Sequence, residues 1–358
     1  MEKKIDIPKN IDELLSKFHF EDKNKYKWNI IAGKIEKEKN KVYCGTNPDD
    51  KNDVIYVKQI FIKYKDTDKY KHTQIFKEIY LLFSLKKYEY FPKNVETLFS
   101  DDEEFLFIIF RNNNINLKQL IKSKVKEIEN PEIIKWIIYQ IAFGLYTLHA
   151  NNIIHHDIKP SNILIDSVTG VSICDFGSAI IKGEDSYEFT LSYASPEYLI
   201  KHLKTTNEKI DEKYDMWALG IIMLEIFLGE SIFNNKNNST KQVQLKNIYL
   251  KFGINENYID EVLLKELNEN INIEFKFEEK ILKKIKDKSA IELLKKLITF
   301  NPKERYSAKE VLNSDYLKDS EGLDSFEIDL FKFPEEYSDI CKNPIEHKKF
   351  VDLIRGIN

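Results

Sequence analysis

The sequence predicts an α+β fold with two lobes: a small β-rich lobe that carries one main helix, and a larger helical lobe. A chain of 358 residues suits either two domains or one large two-lobed unit. Up to about residue 111, short β-branched and aromatic runs alternate with charged turns, which is typical of strands. From Leu117 onward, long apolar stretches with helical spacing take over. The asparagines at 112–114 mark the predicted hinge between the lobes.

The first lobe is predicted to contain one helix, near residues 73–85, because apolar side chains recur there at intervals of three and four residues. Its strands are predicted at 41–46, 53–62, 95–99 and 105–110. In the second lobe we expect short strands at 163–165 and 171–173. The helices of the second lobe are predicted at 132–148, 214–228, 289–297 and 308–312.

Composition and charge exclude several classes of protein. Hydrophobic residues make up 42% of the chain and charged residues 32%, which suits a folded protein and not a disordered or collagen-like one. The net charge of −4 provides no basic field, so we expect neither nucleic acid nor membrane as a partner. The most apolar stretch, 216–229, contains Glu225 and is shorter than the roughly 20 residues of a membrane span. Three cysteines and a charged N-terminus predict a cytoplasmic or nuclear location.

Two short motifs carry the chemistry. Residues 155–162 read HHDIKPSN, and DFG follows at 175–177. Here the chain resembles the eukaryotic protein kinases, whose catalytic loop reads H-R-D-x-K-x-x-N and whose metal site is D-F-G. The resemblance extends from about residue 26 to residue 317. It implies the two-lobed protein kinase fold, with an antiparallel sheet in the smaller lobe, and an enzyme that transfers phosphate from ATP.

By this resemblance, Asp157 orients the attacking hydroxyl and accepts its proton, and Lys159 contacts the γ-phosphate. Asn162 and Asp175 are expected to hold Mg²⁺, a hard cation that prefers oxygen ligands and bridges the phosphates. Phosphoryl transfer spreads negative charge over the γ-phosphate, so such an enzyme mainly positions groups and neutralises charge. Each of the four side chains therefore matches a requirement of the reaction.

The first lobe supplies the other expected contacts to ATP. Lys58, in the run VIYVK, matches the lysine on the α- and β-phosphates, and Glu78 matches its partner on the helix. An alternative register uses Lys63, but it places the lysine too far beyond the second strand. The expected nucleotide-binding residues are Lys58, Asn162 and Asp175 together with Ile35, Val42, Tyr56, Leu164 and either Ile109 or Phe110, between which the register stays open.

Further matches argue for a protein kinase of the serine/threonine type. SPE at 195–197 corresponds to the A-P-E motif, and Arg305 corresponds to its buried ion-pair partner. Asp215 matches the aspartate that holds the backbone of the catalytic loop. Lys159 and Thr190 follow the pattern of enzymes that act on serine and threonine.

Three features resemble the branch of the cyclin-dependent, mitogen-activated and glycogen synthase kinases. Cys174 directly precedes the DFG motif, and Tyr187 stands where that branch often carries an activation-loop tyrosine. The long stretch 234–286 is similar to the insert of that branch.

Two departures from the family pattern concern ATP binding. The glycine-rich loop is missing, because Ile35, Lys37 and Asn40 stand at the positions where glycine lets backbone N–H groups approach phosphate. The lysine-rich segment 34–41 favours a solvated hairpin, with phosphate contact by its side chains as the other interpretation. Tyr56 stands at the small-residue position that roofs the adenine, so its phenol either swings aside or fills the pocket.

Two further departures concern control. His156 replaces the arginine that usually clamps a phosphorylated activation loop, and imidazole does not reproduce bidentate recognition of phosphate by guanidinium. Leu191 and Ala194 stand where the related branch carries arginines. A phosphate on Tyr187 would find no obvious cationic partner, so we expect control that does not depend on phosphorylation of this loop.

The sequence therefore predicts a serine/threonine protein kinase that transfers the γ-phosphate of Mg-ATP to Ser or Thr hydroxyls of protein substrates; a regulatory partner stays open. The alternative is a pseudokinase, a scaffold or allosteric partner with weak or no ATP binding, which Tyr56 and the glycine-free loop favour. The predicted parts are an N-terminal extension (1–26), an N-lobe (27–111), a hinge (112–116), a C-lobe (117–317) and a C-terminal tail (318–358).

Overall fold

A computed structural model describes residues 29–37, 40–46, 54–63, 69–93, 95–100, 103–111, 115–123, 130–166, 170–184, 189–204, 209–233, 240–252, 285–318 and 351–352. They fall into two compact units, the first ending at residue 111 and including 351–352, the second running from residue 115 to 318. The predicted N-terminal extension, the hinge asparagines, Tyr187 and most of the insert and of the tail lie outside the described residues. The predicted lobe boundaries stay a prediction.

The first unit is built on an antiparallel sheet with the strand order β1-β2-β3-β5-β4. Its strands are β1 (Asn29–Lys37), β2 (Asn40–Thr46), β3 (Val54–Phe61), β4 (Val95–Phe99) and β5 (Phe105–Arg111). The last four match the predicted strands to within one residue. β1 was not predicted, because its sequence NIIAGKIEK does not alternate regularly between apolar and polar side chains. Its pairing with β2 is correspondingly irregular, with two shifts of register.

One helix, α1 (Lys69–Leu85), follows β3 in this unit. Ile75, Ile79 and Leu82 are buried, as their helical spacing predicts. The helix begins before the predicted start. The sequence did not reveal this start because the first turn carries no acidic side chain, which would have marked it. The buried face of α1 and the buried side chains of β5 supply the core of the unit.

The second unit is mainly helical. Its helices are α2 (Leu117–Ser123), α3 (Pro131–Ala150), α4 (Pro196–Lys204), α5 (Lys213–Leu228), α6 (Lys241–Phe252), α7 (Lys288–Leu297) and α8 (Ala308–Leu312). Its short strands are β6 (Ile115–Asn116), β7 (Ile153–Ile154), β8 (Ile163–Asp166), β9 (Gly170–Ile173) and β10 (Ile180–Ile181), which pair as β6-β8-β9 and β10-β7. Every helix and strand predicted here is present to within two residues. The additional elements are α2, α4, α6, β6, β7 and β10.

Helix α5 runs through the core of the second unit, since every residue from 214 to 226 is buried. It ends at Gly229, whose φ of 67° lies in the left-handed region that glycine adopts most easily. Gly220 allows close packing against the end of α7, because a Cβ there would lie 2.9 Å from side-chain atoms of Leu297 and Ile298. Among the described residues, none of the helices combines the length and apolar character needed to cross a membrane.

Capping residues stabilise the starts of three helices in the second unit. The Asn130 side chain accepts a hydrogen bond from the N–H of Glu132 at the start of α3. Asp287 accepts from two N–H groups in the first turn of α7. Ser307 and Glu310 form a reciprocal capping box on α8. Each cap satisfies N–H groups that have no partner inside the helix.

Candidate active site

Lys58 and Glu78 form an ion pair within the first unit. Lys58 lies on β3 and Glu78 on α1, and Nζ lies 2.6 Å from Oε1. The Glu78 carboxylate is almost entirely buried, whereas about a fifth of the Lys58 side chain is exposed. A desolvated charge depends strongly on its partner, because removing one leaves the other buried and uncompensated. The structure thus brings these two predicted residues together.

Lys63, the lysine of the alternative register, lies just past the end of β3. Its Nζ is 2.6 Å from Oε1 of Glu104, and its side chain is 53% exposed. Ion pairs between exposed side chains contribute little, because water already solvates both charges. The buried lysine–glutamate pair therefore belongs to the register that uses Lys58.

The pairing of β3 with β5 separates the two residues between which the sequence left the register open. Tyr56 lies opposite Phe110, whereas Val57 lies opposite Ile109. Because side chains alternate along a strand, Phe110 shares a face of the sheet with Tyr56 and Lys58, and Ile109 points to the other face. Of the two residues, Phe110 is therefore the one that lies on the same face of the sheet as Lys58.

Ile35 and Val42 lie on the paired strands β1 and β2. Val42 is opposite Lys34, and Lys37 is opposite Asn40 at the end of the ladder. The backbone thus forms a hairpin at the positions where the related enzymes carry glycines. Only the backbone of these residues is described, and residues 38 and 39 lie outside the described part.

The loop at 155–162, in the second unit, centres on the carboxylate of Asp157. Its Oδ2 accepts hydrogen bonds from Lys159 Nζ at 2.6 Å and Asn162 Nδ2 at 3.2 Å. Its Oδ1 accepts from the hydroxyl of Thr190 at 2.5 Å, and Lys159 Nζ also donates to that hydroxyl at 2.9 Å. Asp157 is only 8% exposed, so this charge is held by neighbouring donors more than by water. Three predicted residues and Thr190 therefore meet at one carboxylate.

Asn162 and Asp175 are brought close by the pairing of β8 with β9. Asn162 ends the turn before β8, Asp175 follows β9, and the N–H of Cys174 donates to the Asn162 carbonyl at 3.0 Å. The Asn162 side-chain NH₂ donates to Asp157, which leaves its Oδ1 as the oxygen available to a ligand. Asp175 has a φ of 70°, an uncommon value for a residue other than glycine that recurs at functional sites.

The donor set of Asn162 and Asp175 fits magnesium. One amide oxygen and one carboxylate are hard ligands, and Mg²⁺ usually takes its remaining ligands from water and substrate phosphate. Among the described residues, His, Cys, Asp and Glu side chains do not gather in groups of three or more that could hold a metal by themselves. Leu164, the remaining residue predicted to contact nucleotide, lies on β8 opposite Ser172.

Asp215 on α5 holds the loop at 155–162 in place. Its carboxylate accepts hydrogen bonds from the backbone N–H groups of His155 at 2.8 Å and His156 at 2.9 Å, and bonds His149 Nε2 at 3.0 Å. Complete burial by itself raises the pKa of Asp215, but these donors outweigh burial and hold that pKa below its ordinary value. Asp215 is therefore held as a carboxylate.

His155 extends this support to Asp157. The N–H of Asp157 donates to Nδ1 of His155 at 3.3 Å, so the hydrogen of the ring lies on Nε2, which bonds the Cys174 carbonyl at 3.1 Å. The ring also packs against Phe176, with 5.2 Å between centroids. One imidazole thus links the loop that carries Asp157 to the segment that carries Asp175.

Arg305 and Glu197 form the predicted ion pair. The guanidinium donates two hydrogen bonds to the carboxylate, at 2.7 and 2.9 Å, and it is fully buried. It also donates to the carbonyls of Thr299 and Lys213 and lies over the ring of Trp217. This pair fastens the start of α4 to the segment between α7 and α8.

Two functional contacts were not found by sequence reasoning. His149, at the end of α3, was not singled out, although a histidine at the end of an otherwise apolar helix was the available signal. Thr190 was assigned only to the type of substrate, and its hydrogen bond to Asp157 was not foreseen. Both contacts join residues far apart in the chain, so local patterns did not reveal them.

Comparison with known proteins identifies the family. The protein kinase domain family matches residues 38–317, which is more than half of the chain. This protein belongs to the protein kinase family. The predicted family and the predicted α+β protein kinase fold are both confirmed.

This family member is similar to fungal mitogen-activated protein kinases. It is 30% identical over 233 residues to the mitogen-activated protein kinase HOG1 of Colletotrichum orbiculare, covering 63% of this chain and 61% of that protein. It is 29% identical over 283 residues to HOG1 of Gibberella zeae, covering 76% and 74% of the two chains. The chain thus spans about three fifths of the length of the first relative. These relatives agree with the predicted branch.

Among solved structures, this family member resembles a MAP kinase, LmaMPK10, from Leishmania major. The TM-score is 0.64 and the sequences are 21% identical, with 92% of this chain and 95% of that chain covered. At this identity the likeness shows the shared fold.

In this family member, His156 occupies an aromatic environment. Its ring lies 4.5 Å from that of Tyr214, 5.1 Å from that of Tyr198 and 6.2 Å from that of Phe189, between centroids. His156 is fully buried, and its φ of 66° is left-handed. The position that carries arginine in related enzymes is thus surrounded by aromatic rings.

Proposed function

We propose that this protein is a serine/threonine protein kinase that transfers the γ-phosphate of ATP, with Mg²⁺, to hydroxyl groups of protein substrates. The observation that carries the proposal is the Asp157 carboxylate, to which Lys159, Asn162 and Thr190 all donate hydrogen bonds. Such a carboxylate can orient an alcohol while neighbouring donors balance its charge. The family and the mitogen-activated protein kinase relatives support the same assignment.

In the proposed reaction, the substrate hydroxyl donates to a carboxylate oxygen of Asp157, which aligns its oxygen with the γ-phosphorus. The new oxygen–phosphorus bond forms as the bond to the β–γ bridging oxygen breaks, ADP leaves, and the proton of the alcohol passes to Asp157. Lys159, 2.6 Å from that carboxylate, offsets negative charge on the transferred group.

Asn162 and Asp175 are the residues proposed to hold the metal, which would neutralise charge on the phosphates. Lys58 is proposed to bind the α- and β-phosphates, with Glu78 fixing its amino group. Ile35, Val42, Tyr56, Phe110 and Leu164 are proposed to contact the base and sugar. Assigning this role to Phe110 and not Ile109 follows from its position on the face of Lys58.

We also propose that activity does not depend on phosphorylation of the activation loop. His156 lies among rings, and Ala194, at a position where related enzymes carry arginine, is fully buried. A phosphate group gains most from guanidinium partners, which these positions do not supply. The expected outcome is that Tyr187→Phe and phosphatase-treated wild type both keep wild-type activity. A tenfold loss in either would contradict this part of the proposal.

The second candidate function is a pseudokinase scaffold. Tyr56, a bulky side chain on the same face of the sheet as Lys58 and opposite Phe110, favours it, because a ring there takes up room that an adenine needs. A scaffold would keep the fold and the buried ion pairs but bind nucleotide weakly or not at all.

Melting temperature measured with and without excess Mg-ATP separates the two functions. A ligand at 100 times its dissociation constant stabilises a protein by about 2.7 kcal/mol, so the kinase should show a clear upward shift. ADP release in the presence of a protein substrate should fall by about 10²-fold or more in Asp157→Asn, while the thermal shift persists. The absence of a shift in the wild type would favour the scaffold.

A further inference from the structure

A cluster of rings that sequence motifs did not indicate surrounds Phe189, near the end of the activation segment, which is the stretch from DFG at 175–177 to SPE at 195–197. We call it the aromatic clasp: His156, Phe189, Tyr198, His202 and Tyr214. Phe189 is central to its outer part. Its ring meets Tyr198 edge-on at 4.7 Å and lies nearly parallel to His202 at 5.9 Å, and Lys241 Nζ lies 5.5 Å from its centroid.

The inner part of the clasp is buried. His156, Tyr198 and Tyr214 are each within 5.1 Å of one another between ring centroids, and all three are buried. His156 is further fixed by its backbone N–H, which donates to Asp215. Phe189 therefore packs on a surface whose own position is already determined.

The clasp is joined through the chain to Asp157, the proposed reacting carboxylate, and to Thr190, whose hydroxyl bonds that carboxylate. His156 precedes Asp157 in the chain, and Phe189 precedes Thr190. The Thr190 hydroxyl bonds Asp157 at 2.5 Å and accepts from Lys159 at 2.9 Å. A shift of Phe189 would therefore displace the Thr190 hydroxyl from both partners.

We propose that Phe189 is a positioning residue: its ring, held by Tyr198, His202 and the Lys241 ammonium, keeps the Thr190 hydroxyl on Asp157 and Lys159 without a phosphate. The inference rests on the proposed kinase function, whose reacting carboxylate it serves. Aromatic edge-to-face contacts and a cation over a ring give this packing a defined geometry. Since a displacement of about 1 Å can cost on the order of 10²-fold in rate, a ring next to Thr190 can control turnover without touching substrate.

The test compares Phe189→Ala, Phe189→Tyr and a matched control, Tyr306→Ala. Tyr306 is also half-buried and has Lys296 Nζ 5.7 Å from its ring, and its N–H donates to the Lys296 carbonyl at the end of α7. We expect Phe189→Ala to lower kcat by about 10²-fold while KM for ATP changes by less than about threefold. Phe189→Tyr, which keeps the ring, and Tyr306→Ala should retain wild-type kcat.

Hydrogen exchange provides a readout that does not require activity. The N–H of Tyr193 donates to the Thr190 carbonyl and that of Ala194 to the Leu191 carbonyl, so both report on the end of the activation segment. These amides should exchange faster in Phe189→Ala than in wild type or Tyr306→Ala. If Phe189→Ala does not fold, Lys241→Met, which removes the cation over the ring, should change kcat and exchange in the same directions to a smaller degree.

The outcomes distinguish this inference from the proposed function. An inactive wild type would overturn the kinase assignment, and the exchange comparison would then decide the role of Phe189. Unchanged kcat and unchanged hydrogen exchange in Phe189→Ala would overturn the proposed positioning role of Phe189. Equal losses of kcat and of melting temperature in Phe189→Ala and Tyr306→Ala would overturn it as well, since any lost ring would then have the same effect.

Discussion

At the scale of single residues, two lysines on neighbouring stretches of the first unit differ mainly in their surroundings. Lys58 pairs with a buried glutamate, whereas Lys63 is itself half-exposed and pairs with Glu104, which is about one third exposed. Both distances are 2.6 Å, so distance does not separate them. Burial does, because the interaction of two charges grows as water is removed from around them.

We expect Lys58→Met to lower kcat/KM for ATP by about 10²-fold or more, because it removes the cation that we propose binds the phosphates. Lys63→Met, the matched control, should leave kcat/KM within about twofold, since exposed pairs contribute little. Steady-state kinetics with varied ATP checks both. Equal effects of the two changes would contradict the assignment of Lys58.

Thr190 provides a second prediction at this scale. Its hydroxyl donates to a charged oxygen, and hydrogen bonds to charged groups contribute about 1.5–3 kcal/mol. Thr190→Ala should therefore lower kcat by roughly 10- to 100-fold, which is the fold-change that corresponds to this range of free energy. Thr190→Ser keeps the hydroxyl and should stay close to wild type in the same turnover assay. A Ser variant as impaired as the Ala variant would show that the methyl group matters instead.

At the scale of elements, helix α4 is fastened by one buried ion pair. Both terminal nitrogens of Arg305 donate hydrogen bonds to Glu197, and the guanidinium also bonds the backbone carbonyls of the first residue of α5 and of Thr299 after α7. A guanidinium without solvent exposure cannot exchange its partner for water, so it joins elements that are far apart in the chain.

Glu197→Gln should lower the free energy of unfolding by about 3 kcal/mol, because the buried Arg305 charge loses its partner. The matched control is Glu292→Gln on α7, whose pair with Lys295 is exposed and 3.2 Å long. Glu292→Gln should change the free energy of unfolding by no more than about 0.5 kcal/mol. Urea unfolding of the three proteins measures both effects. A Glu197→Gln value as small as the control would mean that the pair is not effectively desolvated.

At the scale of the whole molecule, the pKa values of two buried carboxyl groups, Glu225 and Asp215, are shifted in opposite directions. Burial raises the pKa of Glu225, and this effect exceeds the lowering by its hydrogen bonds from Ile232, Ser231 and Tyr193. Burial also acts on Asp215, but its donors prevail and its pKa falls. The two groups therefore contribute to stability in opposite ways as pH changes.

These shifts predict the pH dependence of unfolding. Because the pKa of Glu225 is raised on folding, the folded state binds more protons than the unfolded state just above the ordinary value of 4.5. Stability from this group falls as pH rises through that window. Glu225→Gln should remove this fall, so the wild-type minus variant difference in unfolding free energy should decrease from pH 4 towards pH 7, as measured by urea titration. A difference that grows with pH would contradict the raised pKa.

Helices α1, α3, α5, α7 and α8, six of the ten described strands and the loops that carry Asp157, Asn162 and Asp175 follow from the sequence by itself, because hydrophobic spacing and short motifs act over neighbouring residues. Helices α2, α4 and α6 were not predicted. Strand β1 did not follow, since its pattern is irregular and pairing with β2 defines it. The sequence already favoured Lys58 over Lys63, but only the tertiary structure placed Lys58 against the buried Glu78 and put Phe110 on the face of Lys58. It also brought Thr190 to Asp157 across 33 residues and His149 to Asp215 across 66. Packing creates such contacts between distant segments, and no local pattern encodes which of them will form.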